Sequence, residues 1–189
     1  MRLAALLGFL VTVSNDSTSL KLRDGQIFLE TNKLNLIGGG PLLARLKNGA
    51  PVAYDFHLAL MVGDKAAVRR RSFERFVVSY DLWEEKFAVT NLRKPRAAAS
   101  GLAAKAIDAW CLARIGLPAN GLNSRDNVWV RLEVRAVDPK QDSALFDSSS
   151  ISVASLIEIL SRPARRDEPR WALDAGPVEM ARIREEARP

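Results

Sequence analysis

The sequence contains one cysteine and one histidine among its 189 residues, Cys111 and His57. A single cysteine excludes an intramolecular disulfide and a zinc site built from several cysteines. A single histidine excludes a histidine-rich metal site within one chain. The glycine run at residues 38–40 lacks the spacing of a phosphate-binding loop, and no Lys-Ser or Lys-Thr pair follows it. We therefore expect no metal, no cofactor and no nucleotide-binding α/β fold.

Aromatic residues are also scarce, at 7% of the chain, and none interleaves with the basic runs, although the net charge is +6. The basic residues cluster at Arg69, Arg70 and Arg71, at residues 93–96 and at residues 162–166. Such clusters can bind phosphate backbones or anionic head groups, so the first is a candidate anion-binding site. Without aromatic side chains for base stacking, nucleic acid is a less favoured partner than a membrane or a glycan. The alternative is a soluble protein whose turns are rich in arginine.

A short apolar run, residues 3–13, follows Arg2 and is followed by the polar residues 14–17. It is shorter than the roughly 20 residues that span a bilayer. A positive start, a short apolar core and a polar exit are typical of a secretory signal peptide. We expect residues 1–14 to be such a signal and the protein to be exported, periplasmic or associated with the cell envelope. The alternative is a buried terminal strand of a cytoplasmic domain.

Alternating polarity predicts most of the strands. Asp24-Gly25 predicts a two-residue hairpin turn, because both positions favour positive φ. Residues 52–62 predict the clearest strand. Its even-numbered residues, among them Tyr54, share one face, and its odd-numbered residues, among them His57, share the other. Further strands are expected at residues 73–82, 87–90, 128–135 and 171–173.

Three helices are expected. Pro41 and Gly49 bracket the first, which fits the preference for proline at a helix start and glycine after its end. Ser100 is expected to cap the second, which would run to about Arg114 with one apolar face. Residues 153–160 have helical apolar spacing, followed by arginines, which indicates core packing or docking on an anionic membrane.

Composition without repeats predicts one β-rich domain over residues 19–176 and a charged C-terminal tail at 177–189. Its charge-rich end, residues 182–189, is expected to fray or to be only partly ordered. Strands outnumber helices, and no strand–helix–strand repeat dominates. We therefore predict a mainly β or α+β fold, an antiparallel β-sandwich-like domain with two or three short helices.

The order of these elements resembles an uncharacterised bacterial family, the domain-of-unknown-function family 4390, over about residues 19–176. The resemblance rests on the hairpin at residues 20–31, the helix end Asn48-Gly49 leading into residues 51–56, the basic Arg69–Arg71, the tyrosine-bearing strand 77–81, and the late Trp-x-Leu-x-x-Gly at 171–176. The chain departs from the family pattern at Pro177, where a second tryptophan is absent, and in the strongly apolar residues 153–160. The resemblance implies an envelope protein and transfers no catalytic residue.

Asp55 and His57 are the candidates for acid–base chemistry. Strand spacing puts both on the same face, and histidine titrates near neutral pH. A serine nucleophile would have to come from a neighbouring strand, such as Ser72 or Ser79, because no Gly-x-Ser-x-Gly motif is present. Cys111 is expected to pack in a helix as a small side chain.

These observations favour a non-enzymatic, exported binding module whose partner is an envelope protein or an anionic surface, with no catalytic residue assigned. Two alternatives remain open. One is an envelope hydrolase using His57 and Asp55, and the other is a cytoplasmic nucleic-acid binder using Arg69, Arg70 and Arg71.

Overall fold

The computed structural model describes residues 18–63, 67–93, 96–138 and 169–187. In these ranges nine strands form two sheets, and every strand pairing is antiparallel. The elements in chain order are β1 (Thr18–Arg23), β2 (Gln26–Thr31), α1 (Gly40–Lys47), β3 (Val52–Val62), β4 (Ala67–Asp81), β5 (Lys86–Asn91), β6 (Ala97–Leu102), α2 (Ala104–Leu112), β7 (Leu117–Pro118), β8 (Asn127–Val137), β9 (Arg170–Glu179) and α3 (Met180–Glu186).

One sheet has three strands in the order β1-β2-β7, and the other has six in the order β6-β5-β4-β3-β8-β9. Both sheets contribute side chains to a single hydrophobic core, together with the helices. The mainly β class and the antiparallel pairing are therefore confirmed. The sandwich-like arrangement of the sheets stays a prediction.

The strongest local signals are found where they were expected. Asp24 and Gly25 connect β1 to β2 with φ values of 49° and 71°, as a two-residue hairpin turn requires. Pro41 lies in the first turn of α1, and Gly49 follows its end with a positive φ. The strand β3 spans Val52–Val62, as predicted.

The predicted inward face of β3 is buried from Val52 to Leu60, and Val62 at its end is partly buried. Tyr54, Phe56 and Leu60 are among its core residues, and Phe56 meets Phe76 of β4 edge-on with ring centroids 5.0 Å apart. Burying each side chain of this size stabilises the fold by roughly 1.5–3 kcal/mol. The other face of β3 also carries buried groups, among them Asp55.

The strand β4 begins at Ala67 and not at Phe73, so the arginine cluster is part of a strand. Arginine is tolerated there because this end of the strand is exposed and long side chains keep their charges in water.

The helix predicted from Ser100 to Arg114 is shorter, because its first part is a strand. Residues 97–102 pair with β5, and Ser100 lies in β6 and caps no helix. Gly101 has a φ of 70° where the register of the two strands shifts, which fits a bulge that only glycine adopts easily. Strand pairing outweighs the helix propensity of the alanine-rich sequence.

The fraying expected at residues 182–189 is a wrong prediction for their described part, because residues 182–186 belong to a helix. The strand β9 continues to Glu179, and α3 follows with Met180 and Ile183 buried in the core. The backbone amide of Met180 donates to the carbonyl of Asp126 at 2.9 Å. These long-range contacts hold the C-terminal segment, and its own charged composition does not reveal them. The helix predicted at residues 153–160 lies outside the described residues.

Candidate anion-binding site

The arginine cluster lies at the start of β4, beside a β-bulge. Arg70 is opposite Leu60 of β3, whereas Met61 is opposite Val68, so Arg69 is the extra residue. A bulge interrupts the alternation of side chains and redirects them locally. All three arginines of the cluster are exposed.

The contacts of the cluster are with backbone carbonyl groups. Arg70 donates from Nη1 to the Arg69 carbonyl at 3.0 Å and from Nη2 to the Asn120 carbonyl at 3.4 Å. Within the ranges that the structure covers, no carboxylate lies at ion-pair distance from Arg69, Arg70 or Arg71. Their charges are therefore available to an external anion.

Two more arginines join the cluster through the loop at residues 119–126. Arg184 of α3 donates to the Leu122 carbonyl and to Ser124 Oγ, both at 2.8 Å. Arg125 is exposed in the same loop. We call this surface the arginine end, and its members are Arg69, Arg70, Arg71, Arg125 and Arg184. Asp126 belongs to this loop, and Glu179 of β9 pairs with Asn127, which follows it. The five arginines outnumber these two acidic residues.

The arginine end is a candidate anion-binding surface, and such binding needs no catalytic residue. A guanidinium group is planar and matches phosphate or carboxylate oxygens with two parallel hydrogen bonds. Sequence analysis identified the consecutive members of the cluster and missed Arg125 and Arg184. No local signal marks these two, because only the packing of α3 against the loop brings them to this end.

Asp55 and His57 share a face of β3, as expected, but the two side chains have different partners. Arg75 of β4 donates from Nε to Asp55 Oδ1 at 2.5 Å and from Nη2 to Oδ2 at 2.6 Å, and both side chains are buried. The Asp55 carboxylate is thus bound bidentately by a guanidinium group. No hydrogen bond between described residues joins it to His57.

His57 lies among groups that disfavour its charged form. Its ring centroid is 4.7 Å from that of Phe73, and its buried Nε2 has no hydrogen-bond partner among the described residues. Burial, followed by the nearby positive charge of Arg135, lowers the pKa of His57 to about 4, although Glu133 acts in the opposite direction. The imidazole is therefore neutral near pH 7. Ser72 pairs with Leu58 and so lies on the other face of the sheet.

A second buried polar group connects α2 to the loop before α1. Asp108 Oδ1 accepts a hydrogen bond from the Leu36 amide at 3.4 Å, and the Leu36 carbonyl accepts one from Tyr54 Oη at 3.2 Å. Burial raises the pKa of Asp108 to about 6, while the bond from Leu36 lowers it. These contacts fix the loop in the core, which is a structural role.

Cys111 is fully buried in α2, and burial raises the pKa of its thiol. The thiolate needed for nucleophilic or metal-binding chemistry is thereby disfavoured. This placement confirms the expectation of a packed cysteine.

A concave surface lies between α2 and the β1–β2 hairpin. This open cavity has a volume of about 480 Å³ and is lined in part by Arg23, Glu30 and Leu112. Arg23 and Glu30 form an ion pair at 3.6 Å, with both side chains nearly half exposed. None of the sequence-predicted site residues lines it.

Across the described ranges, no group of three or more His, Cys, Asp and Glu side chains is arranged to hold a metal ion. No helix in the same ranges has the length and apolarity needed to cross a membrane.

Comparison with family models, curated proteins and solved structures finds no match to this chain.

Proposed function

We propose that this chain is an exported, non-enzymatic module of the cell envelope that binds an anionic membrane surface through the arginine end. The observation that carries the proposal is the set of adjacent, exposed arginines without a carboxylate partner among the described residues. Near an anionic membrane each such side chain contributes about 1 kcal/mol at physiological ionic strength. Lipid phosphates also provide the oxygens that match the guanidinium fork.

The absence of enzymatic activity is supported by the state of the candidate groups. Asp55 is bound to Arg75, the Nε2 atom of His57 is buried, and Cys111 is fully buried. A general base needs access to a substrate proton and a pKa near the working pH. None of these three groups combines both properties.

Export is supported by the sequence alone. The basic residue and short apolar run at the start are typical of a signal peptide. The elements that resemble the domain-of-unknown-function family 4390 also support an envelope location as part of this proposal. N-terminal mass analysis of the native protein, with fractionation of the cells, tests this part. A shortened N-terminus in the envelope fraction is expected, and an intact Met1 in the cytosol would overturn it.

Vesicle flotation tests the membrane part. The purified chain should float with vesicles that contain phosphatidylglycerol and remain unbound with phosphatidylcholine alone. Replacing Arg69 and Arg71 with glutamine should lower the affinity by roughly tenfold or more, given about 1 kcal/mol for each charge removed. The matched control replaces Lys33 and Lys105, two exposed lysines outside the arginine end, and removes the same charge.

Comparing the two double variants distinguishes binding at the arginine end from attraction of the vesicles by the net charge of the protein. Equal loss in both double variants would show that net charge alone drives binding, which contradicts a site at the arginine end. Binding to duplex DNA but not to vesicles would instead favour the nucleic-acid alternative.

A further inference from the structure

The far end of β4 carries the most exposed large hydrophobic residue in the described chain. Trp83 has 96% of its surface exposed and Leu82 has 60%, in the turn between β4 and β5. A tryptophan in this position contributes nothing to the core, although its apolar area would stabilise a contact with a partner. Burial within this chain therefore does not explain its presence there.

Hydrogen bonds within the turn fix the backbone at Trp83. Asp81 Oδ1 accepts hydrogen bonds from the backbone amides of Trp83 at 2.8 Å and Glu84 at 3.1 Å. Glu85 has a φ of 53°, a left-handed conformation that completes the turn. Such a turn costs little further conformational entropy on binding, which is the advantage of preorganisation. We call residues 81–85 the tryptophan turn.

The tryptophan turn is acidic, and the arginine end is basic. Asp81, Glu84 and Glu85 lie in the same turn as the exposed indole and outnumber Lys86, which is opposite Asp81 on β5. Arg69 and Arg71 lie at the other end of the same strand. These two ends of β4 are about 40 Å apart at the usual rise of a strand. One molecule therefore cannot bring its own tryptophan turn to its own arginine end, although two molecules can bring these surfaces together.

The two surfaces match in chemistry as well as in charge. Guanidinium groups stack on tryptophan rings, and this chain contains such a pair at the C-terminal end of α2. Arg114, just beyond the helix, has its Cζ 3.6 Å from the ring centroid of Trp110. The arginine end also has an exposed apolar neighbour, Val68, with 41% of its surface exposed. The tryptophan turn offers carboxylates, an indole and the side chain of Leu82 to arginines that have no carboxylate partner among the described residues.

We propose that the tryptophan turn of one copy docks on the arginine end of a second copy, in a head-to-tail contact. The pair then retains one unused arginine end and one unused tryptophan turn, so the contact can continue from copy to copy. Because this proposal uses the same arginines as the proposed function, membrane binding and self-association compete. An anionic membrane would displace the tryptophan turn from the arginine end.

Sedimentation velocity of the purified chain tests the contact. The weight-average sedimentation coefficient should rise with protein concentration from the micromolar into the millimolar range, as for a small and weak interface, and the rise should shrink at high salt. Trp83→Ala should weaken association by roughly tenfold or more, the usual effect of losing a central tryptophan. Leu82→Ala is a smaller change in the same turn and should have a smaller effect.

A mixing experiment identifies the two surfaces. Trp83→Ala keeps a working arginine end, and the double variant Arg69→Gln/Arg71→Gln keeps a working tryptophan turn. At a concentration where the wild type associates but a contact tenfold weaker does not, each variant alone should be largely monomeric, whereas an equimolar mixture should form dimers and nothing larger. A mixture that stays monomeric, or a wild-type chain that stays monomeric throughout, would overturn the head-to-tail contact.

Vesicle flotation of the same variants distinguishes this inference from the proposed function. Trp83→Ala should float with phosphatidylglycerol vesicles as well as the wild type or better, because its arginine end is no longer occupied. If the wild type floats with the vesicles but stays monomeric in solution, only the proposed self-association is contradicted. If it self-associates but does not bind vesicles, only the membrane proposal is contradicted.

Discussion

At the scale of single residues, two buried titratable groups oppose each other between about pH 4 and pH 6. Asp108 has its pKa raised from 3.8 to about 6, and His57 has its pKa lowered from 6.5 to about 4. In this range the native state holds the proton on Asp108 more tightly than the unfolded chain does. For His57 the unfolded chain holds the proton more tightly. The two groups therefore change the free energy of unfolding with pH in opposite directions, and these changes partly cancel in the wild type. A variant that removes one group should reveal the pH dependence due to the other.

Asp108→Asn should stabilise the protein at neutral pH. The native carboxyl prefers to be protonated, so its contribution to stability is largest below about pH 4 and is lost as the pH rises through about 6. Asparagine stays neutral and can still accept the hydrogen bond from the Leu36 amide. We expect a gain on the order of 1–3 kcal/mol at pH 7 and little change at pH 4. Urea unfolding at both pH values measures it, and a variant less stable at pH 7 would contradict the prediction.

His57→Gln should show the reverse dependence. The native imidazole prefers to be neutral, so its contribution is present above about pH 6.5 and is lost as the pH falls toward 4. The free energy of unfolding of the variant, relative to the wild type, should therefore increase on acidification, by on the order of 1–3 kcal/mol. The same urea titrations measure it. A difference that is independent of pH would show that His57 does not titrate in this range.

At the scale of secondary-structure elements, the sequence predicts those whose signals are local. The ends of β3 and the turn at Asp24-Gly25 are specified by neighbouring residues, through alternation and through the need for positive φ. The strand β6 and the helix α3 depend on partners far along the chain, namely β5 and the loop at residues 119–126. Local propensity contains no information about those partners. For the same reason the sequence predicted Arg69, Arg70 and Arg71 of the candidate site but neither Arg125 nor Arg184.

The helix α3 should be a structural element, and Ile183 tests this. Its side chain is buried in the common core, so Ile183→Ala should cost about 2–5 kcal/mol through lost burial and the cavity left behind. The exposed neighbour Arg182, replaced by alanine, is the matched control and should cost less than about 1 kcal/mol. Thermal unfolding of both variants measures the difference. If both variants lower the stability by the same small amount, the segment does not pack in the core and frays as the sequence predicted.

At the scale of the whole molecule, the basic and the acidic surface lie at opposite ends, so binding through one of them sets the orientation of the protein. The arginine end and the tryptophan turn lie at opposite ends of β4, so a chain bound by its arginines points its tryptophan turn away from the membrane. An adapter with this geometry would present Trp83 to the medium while the membrane holds the other end. The orientation follows from the strand itself, because a continuous strand of this length fixes the distance between its two ends.

Site-specific fluorescence should show this orientation. Asn123→Cys places a reactive thiol in the loop of the arginine end, and Glu84→Cys places one in the tryptophan turn, whereas the native Cys111 is buried and protected. A polarity-sensitive dye at position 123 should shift to the blue when vesicles containing phosphatidylglycerol are added, because it enters the head-group region. The same dye at position 84 should keep the emission it has in water, about 40 Å farther along the strand. A blue shift at position 84 without one at position 123 would show that the protein binds the membrane by its tryptophan turn and would overturn the assignment of the arginine end.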